Sequence, residues 1–270
     1  VSMSRMTDLP NKVGVPQGLS ISNILASIYL QNIDKYLSEL PNAKVYRYVD
    51  DILVLCHTND IEILPATIIK KFKGIGLTIH PLNDSDGKSK YGKIDDDFIF
   101  LGYKFSGTKV TVRDTSIDNF RNSLIGIFTS YKHAKSSNLE YLRWRLNLRI
   151  TGCIVENKCK GWMFYFAEMN DESLLHQVDH FVIKLCSRFN VSFTPKKLTK
   201  TYKEILHCKY NTNYIPNFDK YTEQDKRALL EIVFKFDHVA SMSGDDVDYW
   251  FRKKIGYEIR DLEEDIATFS

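Results

Sequence analysis

At 270 residues the chain is long enough for one large or two ordinary domains with a sizeable core. Its hydrophobic share of 43% and charged share of 26% are those of a soluble globular protein, and they argue against a disordered or fibrous chain. No apolar run is long enough to span a bilayer, the start Val1-Ser2-Met3-Ser4-Arg5 lacks a signal peptide's apolar core, and five scattered cysteines form no C-x-x-C pair. The expectation is therefore a cytoplasmic protein with reduced thiols and no membrane partner.

Residues 1–13 read as irregular and polar, and Gly14-Val15-Pro16-Gln17-Gly18 as a turn, with glycines for close backbone approach and a stiffening proline. Ser20 is placed to cap a helix with Ile21, Ile24, Leu25, Ile28 and Leu37 on its inner side, stopped by Pro41. Val45-Tyr46-Arg47-Tyr48 and Ile52-Leu53-Val54-Leu55 are rich in β-branched and aromatic residues, which predicts a hairpin with Asp50 and Asp51 at its tip. Two adjacent carboxylates resist joint ionisation unless a cation neutralises them, and all-oxygen ligands select Mg²⁺ over softer metals. An exposed turn is the plainer alternative, because aspartate is a common turn residue.

Asp60 opens a predicted helix to Lys73, with Gly74 as its stop and Pro65 tolerated near its first turn. Leu77-Thr78-Ile79 reads as a short strand and His80 to Lys93 as a loop. Phe98 to Phe105 and Thr108 to Val112, joined at Ser106-Gly107, predict a second hairpin. Asp95-Asp96-Asp97 before it reads as a solvated edge rather than a metal site.

From Thr115 the pattern becomes helical, with Ile117 to Tyr131, Leu139 to Ile150 and Glu172 to Phe189 as the expected helices and Ser116 or Asn138 as caps. Residues 115–205 carry a net charge of +6, and residues 206–270 one of −4. Tyr141, Arg145 and Arg149 recur every four residues and so line one helix face, with Arg143 on another. Basic residues interleaved with aromatics suit an A-form-like duplex read by shape and backbone; a solvated helix face is the alternative. Lys196, Lys197 and Lys200 read as a basic linker ahead of an acidic tail with helices over Ala228 to Phe236 and Tyr249 to Ile255. Asp245, Asp246 and Asp248 beside Ser243-Gly244 read as a capping cluster, not a nuclease.

Three stretches in order, Gly14-Val15-Pro16-Gln17-Gly18, Tyr48-Val49-Asp50-Asp51 and Phe100-Leu101-Gly102-Tyr103, make the first 110 or so residues resemble the reverse transcriptases, most closely the bacterial retron, group II intron and phage-defence types. Val49 departs from the alanine more often found there. Arg149-Ile150-Thr151-Gly152 resembles a short retron thumb motif. The resemblance implies an α+β fold: a partial polymerase palm over 1–113, an α-helical thumb over 114–205 and a small helical C-terminal module over 206–270. It implies an RNA-directed DNA polymerase in which Asp50 and Asp51 hold Mg²⁺, or Mn²⁺ in its place. Pro16, Gln17, Gly18 and Tyr48 would meet template and incoming deoxynucleoside triphosphate, and Lys88, with Lys90 as alternate, would reach the triphosphate. Phe100, Leu101, Gly102 and Tyr103 would grip the DNA primer, and Arg143, Arg145 and Arg149 would follow the RNA template and primer duplex.

The family's third carboxylate lies well upstream of the Pro-Gln-Gly loop, and Asp8 is too close to that loop to replace it. The expectation is a later palm, thumb and tail without the fingers and first palm strand, inactive by itself though part of an active enzyme. The unfamiliar acidic tail without a zinc-binding endonuclease leans the reading towards antiviral defence. The competing expectation is a nucleic-acid-binding or assembly module that kept a palm and lost catalysis.

Overall fold

The computed structural model describes residue 14 and residues 21–82, 88–134 and 136–262. The chain divides into two compact units, Val1–Asp96 and Asp97–Ser270.

In the first unit, helix α1 (Ser22–Ser38) is followed by strands β1 (Ala43–Tyr48) and β2 (Asp51–Cys56), a 3-10 turn at Thr58–Asp60 and helix α2 (Ile63–Gly74). The strands pair antiparallel from Ala43 against Cys56 to Tyr48 against Asp51, so the hairpin expected from the two apolar runs is present. The small core joins Leu30, Ile33 and Leu37 of α1 to Ile68 and Phe72 of α2, with Val45, Ile52 and Val54 of the hairpin packed on it.

The inner side of α1 is not the predicted one. Ile21, Ile24, Leu25 and Ile28 are 40 to 63% exposed, while Leu30, Ile33 and Leu37 are buried. At about 100° per residue, Leu37 lies roughly 160° from Ile21 around the axis, so the sequence carries two opposed apolar stripes and only one is covered here. Pro65 occupies the third position of α2, where its missing N–H costs nothing. The helix runs through Gly74 and is stopped instead by Gly76, whose φ is +77°. Gly76 N–H donates to Lys73 and Leu77 N–H to Phe72, the double bond of a Schellman cap. Leu77 is thereby tied to the helix end, and the strand expected over Leu77–Ile79 does not form.

The second unit opens with an antiparallel sheet of β3 (Phe98–Phe100), β4 (Tyr103–Ser106) and β5 (Lys109–Val112). Leu101 and Gly102 form a tight turn with φ of +51° and +79°, so the expected first strand is itself a hairpin. Helices α3 (Asp114–His133) and α4 (Leu139–Thr151) follow, then a short hairpin of β6 (Cys153–Val155) and β7 (Lys158–Lys160), and helices α5 (Trp162–Tyr165), α6 (Glu172–Arg188) and α7 (Leu198–Cys208). Asn138 caps α4 through the Tyr141 N–H, as its sequence position predicts. Ser116 is not a cap but a buried residue inside α3. The apolar faces of these helices meet in one core, with Phe120 and Phe128 of α3, Leu142 and Leu146 of α4, Trp162 of α5 and Val178 of α6.

The β6 and β7 pair has too few residues to register as a period-two pattern, and its signal is glycine. A Cβ on Gly152 would lie 2.3 Å from the Lys160 carbonyl oxygen, and one on Gly161 would lie 2.7 Å from the Gly152 Cα. The basic linker is also revised, since Leu198 begins α7 and Asp179 of α6 accepts from the Leu198 and Thr199 amides. The tail consists of α8 (Glu223–Ala228), a π turn at Leu229–Val233 and α9 (Gly244–Arg260). Ser243 caps α9 by accepting from Asp246 N–H, in keeping with the capping cluster read there.

Candidate nucleotidyl-transfer site

The tip of the first hairpin is a two-residue turn, because Tyr48 pairs with Asp51 and only Val49 and Asp50 lie between. Val49 has a φ of +54°, a region that β-branched residues rarely enter. Arg47 fixes this turn from below. Its guanidinium grips both carboxylate oxygens of Asp34 on α1 and donates to the Val49 carbonyl at 2.6 Å. Hydrogen bonding to Asp34 raises the Arg47 pKa despite partial burial. Asp50 and Asp51 are both exposed, as is Tyr48 at 57%. Partial burial, and then the neighbouring Asp50 charge, raise the Asp51 carboxyl above its usual range. Among the described residues no cation pairs with either aspartate.

Pro16, Gln17 and Gly18 lie outside the described residues. Lys88 and Lys90 are exposed, flanking Ser89, which bridges to Leu82 across the loop. In the second unit, Phe100, Leu101, Gly102 and Tyr103 form the end of β3, the turn and the start of β4. Tyr103 O–H donates to the Tyr165 carbonyl at 2.6 Å, and Tyr165 O–H donates to the Leu101 carbonyl at 3.3 Å. Burial pushes the Tyr103 hydroxyl up to about 12. The turn is thus held from its inner side by α5, with its sheet framed by stacked Phe98 and Phe105 rings 4.8 Å apart.

Residues 2–105 match the family model described as reverse transcriptase (RNA-dependent DNA polymerase). This segment is similar to the reverse transcriptase family. No curated protein matches the chain. The family's kind of activity is RNA-directed nucleotidyl transfer, with nucleic acid and nucleotides as partners and divalent metals as its general cofactor.

In this matched segment, the donor chemistry at the hairpin suits a hard divalent cation: two adjacent carboxylates, one already resisting ionisation, with no competing base. Among the described residues they are joined by no third Asp, Glu, His or Cys.

Beyond the segment, the three arginines separate. Arg143 is 55% exposed and 4.0 Å from Glu140. Arg145 and Arg149 do share one face of α4, but that face is covered by the C-terminal helix, so the expected stripe towards a duplex is corrected. Arg145 pairs with Glu258 at 3.0 Å and Asp261 at 2.7 Å. Arg149 is 3% exposed and donates to Ser123 Oγ and to the Asp261 and Leu262 carbonyls. What the sequence reading missed is the company of Arg143. Lys196 and Lys200 hold their ammonium groups 5.0 and 4.5 Å from the Tyr214 ring centre, and the Lys196 amide donates to Asn147, one turn after Arg143. Burial, then the Lys200 and Arg143 charges, lower the Lys196 pKa. Their basic character is visible in sequence, but their meeting with Arg143 depends on a fold contact about fifty residues away.

Proposed function

We propose that this chain is part of an RNA-directed DNA polymerase, and that Asp50 and Asp51 are its metal-binding hairpin. The observation carrying this is the rigid two-residue turn that exposes two carboxylates, clamped by Arg47 and lying inside the matched segment. Mg²⁺, or Mn²⁺ in its place, would be held by Asp50 and Asp51 and would supply charge stabilisation for in-line attack of a primer hydroxyl on the α-phosphate. A further carboxylate is required from outside the described residues.

The chain's own residues do the rest. Arg47 keeps the tip in register, and Pro16, Gln17, Gly18 and Tyr48 contact template and deoxynucleoside triphosphate, with Lys88 approaching the triphosphate. Phe100, Leu101, Gly102 and Tyr103 offer the turn backbone to the DNA primer. Arg143 with Lys196 and Lys200 meets the phosphates of the RNA template and primer duplex, whereas Arg145 and Arg149 anchor the tail. Residues 1–113 act as palm, 114–205 as thumb and 206–270 as a helical extension, in a bacterial cytoplasmic protein of antiviral defence.

The test is direct. Mn²⁺ binding to the 270-residue chain, followed by electron paramagnetic resonance, is expected to fall with Asp50→Asn, and incorporation by the protein that carries this chain is expected to be lost. Equal incorporation with and without the substitution would reject the metal role of Asp50, and no incorporation by either would favour a nucleic-acid-binding or assembly module. Template-directed incorporation by the purified 270-residue chain would refute the expectation that it is inactive by itself.

A further inference from the structure

The tail's net charge of −4 conceals how its charges are arranged. Five of its acids are engaged among the described residues. Glu258 and Asp261 face Arg145, Asp248 accepts from Lys226 at 2.7 Å, Glu223 holds Arg227, and Asp219 accepts from the Glu156 and Asn157 amides. The outer face of α9 is different. Val247, Phe251, Ile255 and Glu258 are buried, which leaves Tyr249, Arg252, Lys253, Gly256, Tyr257 and Arg260 on the opposite, exposed side, with the exposed Asp245 and Asp246 in its first turn. Tyr249 is 58% and Tyr257 61% exposed. Lys253 stands 5.6 Å from the Tyr249 ring centre and 4.8 Å from that of Trp250, and Arg260 stands 5.3 Å from that of Tyr257. Among the described residues no carboxylate forms an ion pair with Arg252, Lys253 or Arg260; Arg252 only adds to the field that lowers the Asp248 pKa, behind Lys226.

We infer that this stripe binds a single-stranded nucleic acid. The two tyrosines lie about 12 Å apart along the helix axis, both exposed, with Trp250 edge-on to Tyr249 at 5.3 Å and a cation beside each ring. Such rings stack bases without regard to sequence, and the neighbouring cations neutralise phosphates. Gly256, with open space where a Cβ would stand, lets a strand approach the helix between them. A membrane surface fits less well, since the exposed rings are interleaved with charge rather than gathered on one apolar face. The inference gives the C-terminal module a partner of its own and does not require the hairpin to be catalytic.

The experiment uses the whole chain and a fluorescein-labelled single-stranded RNA oligonucleotide, without metal or nucleotide, read by anisotropy over a salt series. Tyr249→Ala with Tyr257→Ala is expected to weaken binding at least tenfold, and Tyr249→Phe with Tyr257→Phe to retain it. Arg252→Gln, Lys253→Gln and Arg260→Gln together are expected to lower the slope of log K against log salt by about 2. Wild-type affinity and slope in the alanine and glutamine variants, or a duplex RNA that competes as well as the single strand, would overturn the assignment. Because Asp50→Asn is read by incorporation and these variants by binding, either conclusion can fail while the other stands.

Discussion

Asp50 and Asp51 stand at a hairpin tip with no cation paired to either among the described residues, whereas Arg145 and Arg149, one turn apart on α4, are enclosed by the C-terminal helix and its acids. Both are pairs of like charge, one at a tight turn and one on a helix. The difference is compensation. At the tip, partial burial first and the Asp50 charge second raise the Asp51 carboxyl, and a ligand of opposite charge gains by relieving both. On α4, burial raises the Glu258 carboxyl ahead of the lowering by Arg145 and Tyr141, so the pair fixes the position of α9 more than it adds stability.

The largest expected effect separates function from fold at the hairpin. Asp50→Asn should reduce incorporation by the protein carrying this chain a thousandfold or more, since several kcal/mol of charge stabilisation is lost. The same variant should leave the urea midpoint of the chain unchanged or slightly raised, because it removes a repulsion with Asp51. A marked loss of stability would show the aspartates to be structural and break the comparison from one side.

Arg145→Ala should do the reverse. It strands Glu258, only 4% exposed, and should destabilise the chain by about 3–5 kcal/mol in urea unfolding. Arg145→Met with Glu258→Leu should recover most of that loss. If Arg145→Ala were stable and bound duplex RNA poorly, the arginine would belong to the nucleic-acid face after all.

These two regions were unequally legible for a physical reason. The hairpin is local: its strands are eight residues or fewer from the acids, and alternation with turn chemistry fixes its register. The Arg145 partners lie 113 and 116 residues away, and no helical spacing names them. A separation of 49 residues likewise hid the Lys196 neighbour of Arg143 and Lys200 with it. On α1 the difficulty was of another kind, since two apolar stripes were both visible and sequence alone does not say which is covered. Arg47 could have been found, because a lone arginine inside an apolar strand just before the tip asks for a partner.

A smaller effect concerns pH. Asp171 is 9% exposed and is hydrogen-bonded by Ser173 at 2.6 Å and Thr111 at 2.8 Å, with Lys109 at 3.0 Å. Burial raises its pKa, but these bonds outweigh burial and lower it to about 2. A depressed carboxylate contributes stability that is complete above its usual 3.8 and is lost as pH falls towards 2. The expected loss is about 1–2 kcal/mol in acid unfolding, and Asp171→Asn should remove that part of the slope. An unchanged slope would place the acid sensitivity of the second unit elsewhere.

The smallest effect returns to the hairpin. Val49 holds a φ of +54° with its carbonyl taken by Arg47, a strained placement costing on the order of 1–3 kcal/mol. Val49→Gly relieves that strain but loosens the unfolded chain by up to about 1 kcal/mol, so the net gain should be about 1 kcal/mol in urea unfolding. Incorporation should nevertheless decline, because a glycine lets the tip rotate Asp50 and Asp51 away from their fixed orientation. A gain in stability with full activity would mean that the strain is incidental to holding the carboxylates, and the rigidity of the tip would then rest on the Arg47 and Asp34 clamp alone.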